Sequence, residues 1–357
     1  MYHYMEISRA ALRRNAAAIR SYVGVPVIAV LKCDGYGVSI TEAAHIWKEA
    51  GAAMFAVAQP EEALALRRAG FEEEILLTSP VADASILSEL LRHKVILTIT
   101  NLQTAEFYSL YANSFPIRVH VAIDTGMGRF GIRWNDFSQL HTIYSMEHFS
   151  FEGIFSHFSH SFEKRYRKTA LQLSRFLQSI DAITGFGFSV GIRHIANSCA
   201  ALRFPETWLD AVRIGSGLVG RLCAPVPVSL VPVGRFYAQV IDVKHFHRGD
   251  RTGYASLCRI RKDTDAVIVA IGRMDGFGLA DVPEHFRLCD FPVFLQRTLR
   301  QYFKRPYVMY RGNRLPLIGR VGTQFSLFDT RGIQIRPGSY VIADIPLLFP
   351  GTAKRFI

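Results

Sequence analysis

Eight short runs rich in β-branched and other apolar residues recur along the first two thirds of the chain, with helical patterns between them. They are Val25–Leu31, Met54–Ala58, Glu74–Leu77, Val95–Thr98, Ile117–Ile123, Phe151–Phe155, Ile192–Ala196 and Ala211–Ile214. Strands that alternate with helices build a parallel sheet, and eight such units in about 220 residues fit a closed (β/α)8 barrel of the TIM type. The first intervening segment illustrates the helical pattern. Leu12, Ala16, Ile19 and Val23 fall on one face, and Ser8 stands where a helix cap is expected.

The pattern changes near residue 225, where Pro225 and Pro227 interrupt it. Short strand-like runs bounded by Gly and Pro follow: Phe236–Val243, Ala266–Ile271, Leu317–Val321 and Ser339–Ala343. The expected architecture is therefore α/β, a barrel over residues 1–225 followed by a mostly-β domain over 226–357. The segment His285–Tyr307 mixes charge, Phe and Arg without a clean period and reads as an insertion in the β domain.

A chain of 357 residues with 49% hydrophobic content can bury a core of this size. Its longest apolar runs are far shorter than the roughly 20 residues that span a bilayer, so no membrane helix is expected. The opening Met1–Glu6 leads into an Arg- and Ala-rich helical pattern without an apolar leader, which points to the cytoplasm. Five cysteines, scattered and without metal-ligand spacing, read as reduced thiols. The formal charge of +12 is dispersed among periodic apolar segments and forms no basic stripe. It suits attraction of small anionic ligands better than nucleic-acid binding.

Reactive groups in a (β/α)8 barrel sit where the strands end and the loops converge. The first strand ends in Lys32, the fifth in Asp124-Thr-Gly-Met-Gly-Arg129, the sixth in Ser156-His157, the seventh in Asn197-Ser198, and the eighth in Arg213 followed by Gly215-Ser216. A lysine at the end of an apolar strand is costly to bury as an ammonium. Either its head escapes to solvent, or desolvation prepares the amine for imine formation with an aldehyde. Position alone leaves both readings open. Metal binding by His157 and His160 is disfavoured, because no carboxylate or third ligand is spaced with them, and no residue is assigned to a metal.

The surroundings of the lysine add a family resemblance. Val30-Leu-Lys32-Cys-Asp-Gly-Tyr36-Gly37 resembles the pyridoxal-phosphate lysine motif of alanine racemases, and Asp124-Thr-Gly-Met-Gly-Arg129-Phe-Gly resembles their second signature. Ala196-Asn197-Ser198, Arg213-Ile-Gly-Ser216 and Gly253-Tyr254-Ala255 match in order and spacing, so the resemblance covers nearly the whole chain. It implies a cytoplasmic isomerase that uses pyridoxal 5'-phosphate to make D-alanine for the cell wall, assembled as a homodimer with shared active sites.

By that resemblance Lys32 carries the cofactor and moves a proton on one face of the substrate α-carbon. Tyr254, reaching into a partner's site, acts on the other face, since racemisation needs two proton-transfer groups. Tyr36, Ser198 and Ser216, with Asn197 and the backbone around Gly215 and Gly217, serve the cofactor phosphate. Arg213 faces the pyridine nitrogen and keeps it unprotonated. His157 lies by the ring and bonds to Arg213. Arg129 binds near the phenolic oxygen and the substrate carboxylate, and Thr323 falls in the substrate site.

The chain also departs from the family. A lysine that often stands two residues before the Asp is Ala122 here. Gly272-Arg273-Met-Asp275-Gly276 puts an arginine where the family has an entrance tyrosine. Gly319-Arg-Val-Gly-Thr323-Gln324 replaces a Met-Asp pair, and no C-terminal phosphate-holding tyrosine is evident. These changes keep serine or another amino acid open as the substrate. The Arg213-Ile-Gly-Ser string is also similar to the racemase domains of serine racemases linked to vancomycin resistance. A non-catalytic pyridoxal-phosphate carrier and a barrel-plus-β-domain decarboxylase are the remaining alternatives.

Overall fold

The structure is a computed structural model that describes residues 2–112, 116–163, 165–222, 224–279, 291, 295–296, 299, 305–345, 347 and 353–357. It resolves into two compact units, one of residues 9–233 and one of residues 1–8 with 234–357. The division falls between Val233 and Gly234, later than the 225/226 boundary read from the prolines. Residues 1–8 also group with the second unit. The reason is pairing: the N-terminal strand His3–Ile7 runs antiparallel to Gly234–Phe246, with His3 opposite Ala238 and Ile7 opposite Gly234.

The first unit is the expected barrel. Its strands are β1 (Val27–Val30), β2 (Met54–Val57), β3 (Ile75–Leu77), β4 (Leu97–Ile99), β5 (Ile117–Asp124), β6 (Phe149–Phe155), β7 (Ile192–His194) and β8 (Val212–Ile214). β8, β1, β2 and β3 pair in parallel, as do β4, β5, β6 and β7. Parallel bridges Leu76–Ile96 and His194–Ala211 join the two sets and close the ring. Ile28, Met54, Ala56, Leu76, Ile96 and Ala211 pack together as a buried cluster, so the barrel holds a packed core.

The helices owe their starts to residues at the strand exits. Asp83 accepts from the N–H of Ser85 and Ile86, Asn101 from Thr104, Asp136 from Gln139 and Asn197 from Ala200, each opening the next helix. The first helix, Arg9–Tyr22, buries Leu12, Ala16 and Ile19, the stripe read from the sequence. Each fully buried Leu or Ile of this kind contributes about 1.5–3 kcal/mol. Among the described residues, no helix is long and apolar enough to cross a membrane.

The second unit is built on an antiparallel sheet. In order, it pairs Thr264–Val269, Ser326–Asp329, Asn313–Ile318, Tyr307–Tyr310, Tyr340–Ala343 and Gly234–Phe246. Gly234–Phe246 pairs again with Thr264–Val269, so these strands close on themselves. A register shift between Val240 and Asp242 lets the long strand turn from one neighbour to the other. Strands His3–Ile7, Tyr307–Tyr310, Ser326–Asp329 and Lys354–Phe356 add to those expected from sequence. Most of the insertion read over 285–307 lies outside the described residues.

Candidate active site

A cavity of 590 Å³ opens at the carboxyl ends of the barrel strands, within the usual size range for small-molecule sites. Lys32, Tyr36, Arg129, His157, Asn197, Ser198, Arg213, Gly215 and Ser216 all line it. Gly217, whose backbone was also expected to serve the phosphate, is not among the residues that line it. Tyr254 and Thr323 belong to the second unit.

Lys32 follows β1 by two residues and starts an uncommon turn. Cys33, Asp34, Gly35 and Tyr36 have φ of 56°, 53°, 64° and 58°, a left-handed turn in which only Gly35 is free of a Cβ penalty. Left-handed geometry costs roughly 1–2 kcal/mol per ordinary residue, so the surroundings must hold it. Asp34 Oδ1 accepts the Ile40 N–H at 2.8 Å, and Glu62 Oε1 accepts the Cys33 N–H at 2.6 Å. Glu62 Oε2 also takes the N–H of Ala58 and Gln59 at 2.9 and 3.0 Å, tying the lysine turn to the loop after β2. The turn returns the Tyr36 ring toward Lys32 Nζ, which stands 6.0 Å from the ring centroid.

Tyr36 lies against Gly215, so closely that a Cβ added there would come within 2.4 Å of its phenolic oxygen. Burial pushes the Tyr36 hydroxyl up to about 12, so it is a proton-bearing donor at neutral pH. On the other side of Gly215, Ser198 Oγ collects the N–H of Gly215 at 2.9 Å and of Gly217 at 3.3 Å. The Tyr36 hydroxyl and the Ser198 hydroxyl, the latter held by the two N–H groups, thus line the cavity beside a position where a side chain on Gly215 would not fit. Asn197 fills the cavity wall but is engaged elsewhere. Its Oδ1 accepts from Ala200 N at 3.0 Å and from Ser161 Oγ at 2.9 Å, a helix cap that positions Ser198.

Arg213, from the middle of β8, is 5% exposed. Its NH1 donates to His194 Nδ1 at 2.7 Å and to His194 O at 2.9 Å. Its NH2 reaches Ser156 O, Ile195 O and His157 Nδ1, the last at 3.3 Å. Burial pulls the guanidinium down to about 9, still charged at neutral pH. Because it donates to both imidazoles, His194 and His157 must accept through Nδ1 and carry their proton on Nε2. Burial, then the Arg213 charge, pulls His157 down to about 3 and His194 well below its ordinary value, so both are neutral.

Arg129 is exposed on the loop after β5. Asp124 Oδ1 gathers the N–H groups of Gly126, Met127 and Gly128 at 2.8, 2.9 and 3.1 Å and so shapes that loop. Ala122, where the family often has a lysine, is buried on the cavity wall. The Arg129 guanidinium instead stands 5.8 Å from the Phe130 ring centroid.

In the second unit, Tyr254 opens a short 3-10 turn, Tyr254–Ser256, at the tip of a hairpin formed by Arg251–Thr252 and Cys258–Arg259. Gly253 at φ 80° makes the entry into that turn possible. The departures from the family pattern come together. Arg273 N donates to Gly322 O at 2.9 Å and Met274 N to Thr323 O at 3.1 Å, so Arg273, Thr323 and Gln324 share two adjoining turns. All three are exposed in this unit.

Sequence reasoning missed Glu62, His120 and His194. Glu62 left a signal, since Gln59-Pro-Glu-Glu62 spells a helix start with a capping box. His120 and His194 were visible as polar residues inside apolar strands, but only the closed ring brings them together.

A parallel eight-stranded barrel with a lysine just past its first strand, followed by a β unit, defines a class of pyridoxal-phosphate-dependent enzymes that includes the amino-acid racemases, and comparison with known proteins narrows it to these. The family model "Alanine racemase, N-terminal domain" matches residues 7–222. An alanine racemase of Desulfovibrio desulfuricans is 31% identical across 98% of this chain and 89% of its own length. One of Listeria innocua is 29% identical across 89% of this chain and 81% of its own. The alanine racemase of D-cycloserine-producing Streptomyces lavendulae superposes with a TM-score of 0.87 at 23% identity, covering 100% of this chain and 97% of that one. That of Bacillus anthracis, solved with bound L-Ala-P, gives 0.79 at 27% identity, covering 95% and 84%. The chain belongs to the alanine racemase family, whose members use pyridoxal phosphate.

Proposed function

We propose that the protein is an alanine racemase that interconverts L- and D-alanine on bound pyridoxal 5'-phosphate. The carrying observation is the grouping of Lys32, Tyr36, Ser198 and Arg213 around one cavity, with Gly215 kept bare beneath Tyr36. These residues fit the cofactor. A phosphate would find hydroxyls from Tyr36, Ser198 and Ser216, and Ser198 Oγ, which accepts the N–H of Gly215 and Gly217, keeps its own proton to donate. The aldehyde finds the Lys32 amine. Arg213 spends the donors of NH1 and NH2 on protein acceptors, which leaves its Nε–H for a ring nitrogen in the cavity.

The bound cofactor supplies an aldehyde carbon to capture the substrate amine and an aromatic ring to take up the electron pair left when the α-proton departs. The protein does the rest. Lys32 Nζ takes or returns the proton on one face of the α-carbon, and the Tyr254 phenol does so on the opposite face. Arg213 cannot give up a proton at neutral pH and so leaves the ring nitrogen unprotonated. With the cofactor bound, this role of Arg213 would weaken electron withdrawal and favour return of the proton to the α-carbon over side reactions. Arg129, placed by the Asp124-centred loop, holds the substrate carboxylate. Tyr254 comes from a second subunit, in a homodimer with shared sites.

A second reading is a racemase for serine or another polar amino acid. It is favoured by Arg273, Thr323 and Gln324, which together replace the family's residues on two adjoining turns. The experiment is a chiral assay of purified protein with added pyridoxal phosphate against alanine, serine and basic amino acids. Alanine converted fastest supports the first reading, and serine converted fastest the second. Carbon dioxide release from a basic amino acid would indicate a decarboxylase. A yellow protein that exchanges no α-deuterium with any amino acid would be a cofactor carrier.

A further inference from the structure

The second unit carries a group of side chains that racemisation does not use. His245 and His247 stand two apart at the end of the strand Gly234–Phe246, on the same side of the chain. Their ring centroids are 4.8 Å apart. The partner strand places Asp265 opposite His245 and Thr264 opposite Phe246, which brings the residue before it, Asp263, alongside. One ligand atom from each of His245, His247 and Asp263 lies within 4.8 Å of the other two, and all three residues are exposed.

We propose that His245, His247 and Asp263 form a surface site for a divalent transition-metal ion of the zinc type. Two imidazole nitrogens and one carboxylate oxygen suit zinc, nickel or copper, whereas magnesium and calcium take oxygen ligands. The surroundings are arranged for ligation. Asp265 Oδ1 lies 2.7 Å from His245 Nδ1, a carboxylate–imidazole pair that fixes the ring, raises its basicity and leaves Nε2 for the cation. Asp263 uses Oδ1 for the Arg248 N–H at 2.7 Å and keeps Oδ2. Asp250 Oδ2 accepts the His247 N–H at 2.8 Å and sets that ligand's backbone.

Zinc ligands in a tetrahedral set stand about 3.3 Å apart, so rotations of exposed side chains suffice to draw these three in. Water completes the sphere, because the site faces solvent. The site also sits at the root of the Tyr254 hairpin: Gly249 N donates to Ile260 O at 2.9 Å and Ile260 N to Asp250 O at 2.8 Å. A bound ion would brace that root. The site itself does not depend on the racemase reading.

The test is calorimetric titration of zinc chloride into the cofactor-loaded protein and into His247→Ala and Asp263→Asn, with Cys33→Ser as a control for zinc taken up at the exposed thiol. The expected result is one equivalent bound at micromolar affinity by the wild type and by Cys33→Ser, and affinity about tenfold or more weaker in the other two. Absence of one-to-one binding in the wild type overturns the proposal. So do His247→Ala and Asp263→Asn proteins that both titrate as the wild type does.

Discussion

Arg213 NH1 donates to His194 Nδ1 at 2.7 Å, and the consequence of that bond travels on through the barrel. With Nδ1 accepting, His194 carries its proton on Nε2, 2.9 Å from His120 Nδ1. His120 in turn bears its proton on Nε2, which is buried without a partner. One charged guanidinium therefore sets the tautomers of two neutral imidazoles in sequence. The His120 ring has room only because Gly153 faces it, where a Cβ would come within 2.5 Å.

These buried imidazoles make stability depend on pH. Burial and Arg213 pull His120 and His157 from 6.5 to about 3, so between these values the unfolded chain binds protons that the folded chain does not. Their contribution is complete above pH 6.5 and is lost as pH falls toward 3. Each adds a slope of up to about 1.4 kcal/mol per pH unit. Urea unfolding of the wild type should weaken steadily from pH 6.5 to 4.5, and His120→Gln should flatten that slope. An unchanged slope in the variant would separate the pH dependence from this imidazole.

Gly215→Ala should leave the barrel folded but displace the Tyr36 ring, since the new methyl would meet it at 2.4 Å. Pyridoxal phosphate affinity, followed by absorbance titration, should fall by about tenfold, the loss of roughly one hydrogen bond to a charged group. Wild-type affinity would mean that Tyr36 does not hold the phosphate.

Glu62→Gln removes the charged acceptor of the Cys33 N–H, now 2.6 Å away, and loosens the left-handed turn that follows Lys32. Misplacement of the amine by a fraction of an ångström should lower kcat by about tenfold or more while the thermal midpoint moves little. Equal falls in kcat and in stability would assign Glu62 a purely structural part.

Tyr254→Phe should suppress α-proton exchange from one enantiomer of alanine far more than from the other if, as proposed, Lys32 and Tyr254 serve opposite faces. Deuterium incorporation from each enantiomer, measured separately by mass spectrometry, makes the comparison. Equal losses would contradict the two-base assignment.

The barrel was legible because its strands are buried on both faces and read as continuous apolar runs such as Val27–Val30 and Ile75–Leu77. The strand ends were legible for the same reason, since polar residues such as Lys32 and Asn197 stand out where apolar runs meet loops, whereas Arg213, read as the end of the eighth strand, lies in its middle. The second unit was harder. Tyr307–Tyr310 and Ser326–Asp329 are four-residue antiparallel strands whose sequences, YVMY and SLFD, do not alternate polar with apolar residues. The joining of residues 1–8 to that unit is a pairing across more than 200 positions that local pattern cannot show. Distance hid other relations as well. Glu62 reaches back to Cys33, His120 meets His194, and the carboxylate that gathers with His245 and His247 comes from the residue just before the partner strand Thr264–Val269.

In the proposed function Lys32 is the amine that holds the cofactor. Borohydride reduction of the cofactor-saturated protein, followed by peptide mass mapping, should place the reduced pyridoxyl phosphate on the peptide containing Lys32 and on no other. A label found on a different lysine, or no label at all, would contradict it.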